Sequence, residues 1–201
     1  MKNKLLTEKK PYQKTHYFWT VILLATLSAC SEIKTRHTSP ADQVAKALNL
    51  SGHIEGGYYK RTYQADHRNF LETKNGERFL MTSIYYMLTS ESPIGHWHLN
   101  KSDIMHYYHL GNPIEYNLIH PDGSLEKVIM GADVMAGQKL QLMVKGGIWK
   151  SSRLLNGSYD YGLISEAVSP GFDFADMTIG EEAYLQHQFP QHKKLIEQYS
   201  Q

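Results

Sequence analysis

From position 58 onward, apolar and polar side chains alternate in short runs that turn residues separate. These runs are residues 58–63, 79–89, 114–120, 125–130, 140–144, 148–155, 161–168 and 172–178. Such alternation is typical of strands, because successive side chains of a strand point to opposite faces of its sheet. Short strands at even spacing favour an all-β sandwich or barrel.

Both ends of this strand-rich region carry helix signals. Ser39 suits the N-cap of a helix, Pro40 its first position and Asp42 its first turn. At the other end, residues 181–188 have a helical pattern and Pro190 can begin a further helix. We therefore expect an N-terminal helix and C-terminal helices around a β-domain.

The richest chemistry lies in residues 93–113, which hold four of the eleven histidines between a Pro-x-Gly turn and a Gly-Asn-Pro turn. In strands, His96 and His98 share one face, as do His106 and Tyr108. Two neighbouring strands could therefore direct several imidazoles and phenols into one cavity, which a barrel would provide. Alternatively, these rings fill a core or lie on the surface.

The N-terminal segment has the order of a secretory signal. Five lysines precede residues 17–29, a run without charge that is too short to span a bilayer comfortably. The run ends in Leu27-Ser28-Ala29-Cys30, which resembles the lipobox of bacterial lipoproteins, where the signal is cut before the cysteine and the thiol is lipidated.

The expected organisation is a signal peptide at residues 1–29, a lipidated Cys30 with a polar tether through residue 38, and a domain at residues 39–201. This predicts a lipid-anchored protein of the bacterial cell envelope that faces the periplasm. An uncleaved anchor or a wrongly assigned start would leave other locations open, including the cytoplasm. Cys30 is the single cysteine, so no internal disulfide is expected.

Charge argues against nucleic acid as a partner. The chain has 21 basic and 20 acidic side chains, and residues 1–29 contain five lysines and one glutamate, so the remainder has a net charge of −3. Nothing in it forms the basic stripe that a phosphate backbone requires. About 160 residues follow the tether, enough for one domain with a sizeable core.

Five segments carry a resemblance to a known family: residues 53–59, 82–86, 96–113, 144–149 and 170–176. In this order they resemble the cupin-5 type family of the RmlC-like cupins, whose activity is largely uncharacterised. The resemblance covers about residues 40–200. It implies a double-stranded β-helix, or jelly-roll barrel, commonly as a homodimer. It also implies a distant structural similarity to dTDP-sugar 3,5-epimerases.

Metal-binding cupins combine a His-x-His pair, a Glu about six residues later and a His on a later strand. The resemblance implies His96 and His98 for the pair, and their imidazoles suit Fe, Mn, Ni or Zn. However, Ile104 occupies the Glu position and Lys150 that of the last His, where an ammonium repels a divalent cation. We expect no metal cofactor; the alternative is a site formed by His96, His98 and His106.

A metal-free pocket would depend on acid–base and ionic side chains. The candidate catalytic residues are His98, His96, Tyr108, Asp173 and Asp176. An imidazole would act as base, an aspartate would orient it and a tyrosine would protonate the opposite side of the substrate carbon. The candidate ligand-binding residues are Glu55, Tyr59, Arg61, Tyr85, His106, Trp149 and Lys150. Arg61 and Lys150 would hold a negative group, whereas Trp149 alternatively belongs to the core and Glu55 to a structural bend.

Two functional hypotheses follow, and the sequence does not decide whether the protein is an enzyme. The first is an envelope-tethered module that binds a small polar, carbohydrate-like ligand. The second is a metal-independent sugar epimerase or isomerase with a His base and a Tyr acid. Nucleotide-activated sugars are normally cytoplasmic, whereas Cys30 predicts a domain across the membrane, so we prefer binding. A metal-dependent cupin enzyme is a third possibility.

Overall fold

A computed structural model describes residues 39–201. The predicted signal peptide at 1–29, the lipidation of Cys30 and the tether through residue 38 lie outside the described residues. Within residues 39–201, no helix has both the length and the apolar character needed to cross a membrane.

The described residues form three α-helices, thirteen strands and three short 3₁₀ turns. The helices are α1 (Pro40–Ala47), α2 (Glu182–Gln188) and α3 (Lys193–Tyr199). The strands are β1 (Ser51–Gly52), β2 (Tyr58–Gln64), β3 (Leu71–Thr73), β4 (Gly76–Arg78), β5 (Thr82–Thr89), β6 (Ile94–Asn100), β7 (Asp103–Gly111), β8 (Ile114–Ile119), β9 (Leu125–Met130), β10 (Gln141–Val144), β11 (Trp149–Leu154), β12 (Tyr161–Ser169) and β13 (Met177–Ile179). The 3₁₀ turns are Val134–Ala136, Phe174–Asp176 and Pro190–His192.

Two antiparallel sheets form the body of the domain. The six-stranded sheet has the order β1-β2-β5-β12-β7-β10, and the five-stranded sheet has the order β13-β6-β11-β8-β9. Strands β3 and β4 form a separate hairpin. The all-β prediction is confirmed: this is a jelly roll of two facing sheets, with helices at both ends of the domain.

The main core lies between the two sheets. It joins Leu88 and Ile164 of the six-stranded sheet to Leu118 and Met130 of the five-stranded sheet. These side chains are at most 1% exposed, and burial of each such side chain contributes roughly 1.5–3 kcal/mol. A smaller cluster around Trp97 lies under α2 and α3, and another lies under α1.

Helix α1 begins as predicted. The Ser39 hydroxyl accepts a hydrogen bond from the Asp42 amide, and the Asp42 carboxylate accepts one from the Ser39 amide. This reciprocal capping box satisfies two backbone donors that a helix otherwise leaves unpaired. The helix then packs its apolar side, including Val44 and Leu48, against the six-stranded sheet.

The predicted strand at residues 172–178 is mostly wrong. Only Met177–Ile179 forms a strand, β13, and it pairs with β6. Asp173 prevents an earlier start, because its carboxylate accepts a hydrogen bond from the Ala175 amide and its carbonyl accepts one from the Asp176 amide. Such local bonds compete with strand pairing. The preceding Phe172 therefore lies in a loop.

Candidate functional site

Strand register places four ionisable side chains inside the barrel. Glu166 of β12 lies opposite His106 of β7, and Lys150 of β11 lies opposite His98 of β6. Glu55, from the loop between β1 and β2, joins them through His98. We call these five residues the inner charge cluster. Each is less than 10% exposed, so burial and their mutual interactions together determine their protonation states.

Lys150 forms the centre of one half of the cluster. Its Nζ lies 3.0 Å from His106 Nε2 and 3.9 Å from Glu166 Oε1. His106 Nδ1 lies 3.2 Å from the Leu142 carbonyl oxygen. Since a carbonyl only accepts, Nδ1 carries the hydrogen and Nε2 accepts from the Lys150 ammonium. Nε2 also lies 3.3 Å from Glu166 Oε1, and the ammonium close to both atoms offsets the repulsion between these two acceptors.

The pKa shifts agree with this assignment. Burial lowers the pKa of His106, and the Lys150 ammonium lowers it further. Burial by itself would raise the pKa of Glu166, but Lys150 and His106 bring it below its ordinary value. This half of the cluster therefore contains a Lys150 ammonium, a Glu166 carboxylate and a neutral His106.

The other half is a carboxyl–imidazole pair. His98 Nδ1 lies 2.7 Å from the His96 carbonyl oxygen and donates to it, so Nε2 presents a lone pair. Glu55 Oε2 lies 3.1 Å from that Nε2. The contact is close, but His98 Nε2 has no hydrogen-bond partner among residues 39–201.

The pKa directions place a proton on Glu55, and none on His98 Nε2, at neutral pH. Burial is the largest effect on both groups: it raises the pKa of Glu55 to about 8 and lowers that of His98 well below its ordinary value. The nearby Lys150 ammonium lowers the pKa of each. Glu55 is thus a neutral acid beside the neutral His98 imidazole, and it is poised to exchange a proton with a bound molecule.

The loop that carries Glu55 is held by its backbone. The His96 amide donates to the Glu55 carbonyl, and the Tyr86 hydroxyl donates to the Gly56 carbonyl. Gly56 has a φ of 93° and Gly57 one of 69°, which favour glycine. A Cβ at Gly56 would also collide with the Ile94 carbonyl oxygen. The Glu-Gly-Gly sequence therefore sets the position of the Glu55 side chain.

A cavity of about 170 Å³ lies beside the cluster; we call it the inner cavity. Its polar lining residues are His53, Glu55, Arg61, Asn100 and Glu166. Its apolar and aromatic lining residues are Tyr59, Ile84, Ile104, Val168, Phe172 and Phe174. A small organic molecule would contact both kinds of group at once.

Six of the residues singled out from the sequence therefore lie together. Four of them belong to the inner charge cluster: His98, His106, Lys150 and Glu55. The other two, Tyr59 and Arg61, line the inner cavity. Sequence reasoning missed Glu166, His53 and Asn100. Glu166 did carry a signal, since a charged residue inside an otherwise apolar strand must be paired when buried.

His96 and Tyr108 lie elsewhere. His96 Nδ1 is 3.1 Å from the carbonyl oxygen of Tyr199, which ends α3. The Tyr108 hydroxyl donates to the Gly111 carbonyl. Neither side chain lines the inner cavity, so the structure does not bring them to the position that a base or an acid would need.

Tyr85 and Trp149 also face away from the cavity. Tyr85 packs against the cluster under α1, and its ring lies 6.0 Å from that of His109. Trp149 belongs to the core under α2 and α3. Alternation explains Trp149, because its neighbour Lys150 points inward. Trp149 thus follows the core alternative.

The expected pairing of an aspartate with His98 needs correction. Asp176 binds Arg78 in a bidentate ion pair, with Oδ2 2.6 Å from Nε and Oδ1 3.1 Å from Nη2. Asp173 is exposed and caps the following turn. Strand β13 does return beside β6, as expected, but Asp176 lies in the turn just before β13. Glu55 is the carboxyl that contacts His98.

Sequence and structure comparisons agree on the family. A family model described as Cupin superfamily (DUF985) matches residues 42–180. The chain belongs to this family. It is 37% identical over 168 residues to an uncharacterized protein of Saccharomyces cerevisiae, a match that covers 77% of this chain and 83% of the yeast protein.

Two solved structures resemble this cupin closely. A hypothetical protein from Leishmania major has a TM-score of 0.75 at 34% identity, with 80% of this chain and 98% of that chain covered. A protein from Shewanella oneidensis has a TM-score of 0.72 at 32% identity, with 80% and 97% covered. The family resemblance is confirmed. Because a yeast protein belongs among the relatives, family membership does not support a bacterial lipoprotein.

The donor set does not fit the metal that many cupins hold. Ile104 has no donor atom, and Lys150 places an ammonium in the cluster. His106 cannot act as the third ligand, since Lys150 and the Leu142 carbonyl engage both ring nitrogens. Within residues 39–201, no three His, Cys, Asp or Glu side chains converge as a metal site would require.

Proposed function

We propose that this cupin domain binds a small organic ligand in the inner cavity. The observation that carries the proposal is a pair of buried polar atoms, Asn100 Oδ1 and Arg61 Nε, which have no hydrogen-bond partner among residues 39–201. Both residues line the cavity. An unsatisfied buried polar atom costs about 1–3 kcal/mol, and a ligand that supplies a donor and an acceptor would offset that cost. A carbohydrate-like molecule is the class that the sequence predicts.

A thermal-shift screen of sugars and organic acids tests this proposal. A ligand at a hundred times its Kd stabilises the native state by about 2.7 kcal/mol and raises Tm. Val168→Phe adds bulk at the cavity wall and should abolish the shift. Ile129→Phe, at an exposed position, is the matched control and should retain it. A screen without any shift, or an equal shift in both variants, would contradict the proposal.

We also propose a second function, metal-independent proton transfer of the isomerase or epimerase type. The Glu55–His98 contact favours it, because Glu55 lines the ligand cavity and its carboxyl lies 3.1 Å from the His98 imidazole behind it. Glu55 replaces the predicted aspartate as the partner of His98. Tyr59 lines the cavity and could act as the acid.

Exchange of solvent deuterium into a bound substrate tests this second function. His98→Gln and Tyr59→Phe should abolish the exchange. Tyr108→Phe should leave it intact, since the Tyr108 hydroxyl bonds to the Gly111 carbonyl outside the cavity. Loss of exchange only in Tyr108→Phe would restore the sequence-based role of Tyr108 and exclude that of Tyr59.

We retain two sequence-based predictions as proposals: an envelope anchor through lipidated Cys30, and a homodimer. The order of the lysines, the apolar run and Cys30 supports the first, and the family resemblance supports the second. Cys30→Ala should prevent labelling with radioactive palmitate. Sedimentation of the domain should give twice the monomer mass.

A further inference from the structure

A second cavity, of about 370 Å³, adjoins the inner one; we call it the outer cavity. Arg61, Phe172 and Phe174 line both cavities. Phe70 and Phe79 also line the outer cavity. A ligand that passes Arg61 can therefore occupy the two cavities together, with one end beside the inner charge cluster and the other among phenylalanines.

Arg61 lies at this junction, and its guanidinium can still bind a ligand. Its Nη1 donates to Gln64, and its buried Nε has no partner among residues 39–201. The other nearby cations are engaged, Lys150 beside Glu166 and Arg78 with Asp176. A guanidinium in this state binds a carboxylate through two parallel hydrogen bonds.

We infer that the ligand is a hydroxylated carboxylic acid with an apolar ring, whose carboxylate binds Arg61 while its ring lies in the outer cavity. This inference rests on the proposed binding function and names its ligand class. The position of the carboxylate follows from the surrounding charges. Glu166 lines the inner cavity, and Glu77 and Asp173 line the outer one, so an anion is favoured only at the junction between them.

The outer cavity has the walls that an apolar ring requires. The rings of Phe70 and Phe79 lie 4.9 Å apart, and those of Phe172 and Phe174 lie 5.1 Å apart. Phe70 is 52% exposed and Phe174 is 57% exposed. Exposed phenylalanines grouped around a concavity are typical of a recognition surface, and they contact a further ring edge-on or offset.

The inner cavity offers a hydrogen-bond partner for the hydroxyl group of the inferred ligand. Asn100 is 7% exposed, and its unpartnered Oδ1 can accept one hydrogen bond from a ligand. More than half of the lining residues are apolar or aromatic. A carbohydrate has a hydroxyl on nearly every carbon, and each would need a partner once buried. One hydroxyl beside an apolar wall matches the cavity better.

Calorimetric titration of the domain with five probes tests each part of this ligand. Phenyllactate contains the carboxylate, the hydroxyl and the ring, and it should bind most tightly. Lactate lacks the ring and phenyllactamide lacks the charge, and both should bind about tenfold more weakly or worse. 3-Phenylpropanoate lacks the hydroxyl and should bind a few fold more weakly than phenyllactate. Glucose is the carbohydrate probe.

Variants of the protein complete the test. Arg61→Gln should weaken phenyllactate binding by about tenfold or more and should not change phenyllactamide binding. Lys60→Gln, at the exposed neighbouring position of β2, is the matched control and should bind normally. Phe174→Ala should weaken the binding of phenyllactate but not the binding of lactate. The unliganded Tm of each variant reports whether it folds.

The outcomes separate this inference from the proposed function. Binding of glucose without binding of phenyllactate would overturn the ligand class and leave the binding function standing. Equal binding of phenyllactate and phenyllactamide, or unchanged phenyllactate binding by folded Arg61→Gln, would overturn the role of Arg61. Absence of binding by all five probes would overturn the ligand class, and the wider thermal-shift screen would then decide the binding function separately.

Discussion

Two buried carboxyl groups of this cupin, Glu55 and Asp176, have pKa values that are shifted in opposite directions. The ion-pair partners of Glu55 within residues 39–201 are the imidazoles of His53 and His98, and burial raises its pKa to about 8. Asp176 accepts two hydrogen bonds from Arg78, which lower its pKa despite burial. The comparison shows that the partner decides whether a buried carboxyl is charged. The Arg78–Asp176 pair is a closed structural contact, whereas Glu55 keeps a proton that it can transfer.

Glu166 shows that both behaviours occur within one cavity. It lies in the same buried cluster as Glu55, yet the Lys150 ammonium and His106 bring its pKa below the ordinary value. Two carboxyl groups with different protonation states beside one cavity are a common arrangement in acid–base sites. Lys150 is therefore the residue on which the contrast between Glu55 and Glu166 depends.

The largest effect is expected from Lys150→Met. The substitution leaves the Glu166 carboxylate buried without its cation, and loss of one partner of a buried pair costs roughly 3–5 kcal/mol. Urea unfolding at pH 8 measures the free energy of unfolding. A Lys150→Met/Glu166→Leu double variant should recover most of the loss, because no charge is then left unpaired. If the double variant is as unstable as the single one, the loss reflects packing and not charge.

A pH series should then separate Glu55 from Asp176. The folded state holds the Glu55 proton up to a pKa of about 8, against an ordinary value of 4.5. Its stabilising contribution is therefore complete below pH 4.5 and is lost as pH rises through about 8. Relative to Glu55→Gln, the wild-type protein should lose up to about 1.4 kcal/mol of unfolding free energy for each pH unit in this window.

Asp176→Asn should show the opposite sign. The pKa of Asp176 is lowered in the folded state, so its contribution is present above the ordinary value of 3.8 and is lost as pH falls through the folded pKa. The stability difference between wild type and this variant should shrink in acid. Urea midpoints between pH 3 and pH 9 measure both series, and parallel pH curves for the two variants would contradict the contrast.

The smallest effect is expected from Lys101→Met. Lys101 Nζ lies 3.5 Å from Asp176 Oδ1, but its side chain is 44% exposed. Solvent screening limits such a pair to about 0.2–1 kcal/mol. Thermal unfolding in low and high salt measures the effect, which should vanish at high salt. A loss as large as that of Lys150→Met would mean that Lys101, and not Arg78, holds the Asp176 charge.

Much of the fold followed from local patterns. Alternation predicted most of the strands, and the Ser39, Pro40 and Asp42 signals predicted α1. The same alternation predicted that His96 and His98 share one face of their strand, because the side-chain period of a strand is two wherever the strand lies. Lys150 was singled out through the family resemblance. The hairpin of β3 and β4 was missed, since its three-residue strands are too short for a periodic signal.

The partners within the site were less predictable. Asp176 was expected beside His98, and Glu166 was not expected at all. The pairing of residues 106 and 166 depends on which strands neighbour each other in the barrel, and the contact between residues 78 and 176 joins the β3–β4 hairpin to the turn before β13. Periodicity within one strand contains neither kind of information. Phe172 and Phe174 line the cavity because the chain turns at Asp173. This turn depends on a side-chain hydrogen bond that competes with strand pairing.

The sequence alone therefore determined the all-β class, most of the strands and the helices at the ends of the domain, because these depend on neighbours along the chain. Only the tertiary structure decided that Glu55 faces His98, that Lys150 faces His106 and Glu166, and that Arg61 lies between two cavities. Those contacts join residues far apart in sequence, and their protonation states depend on the burial and the charges that only folding brings together.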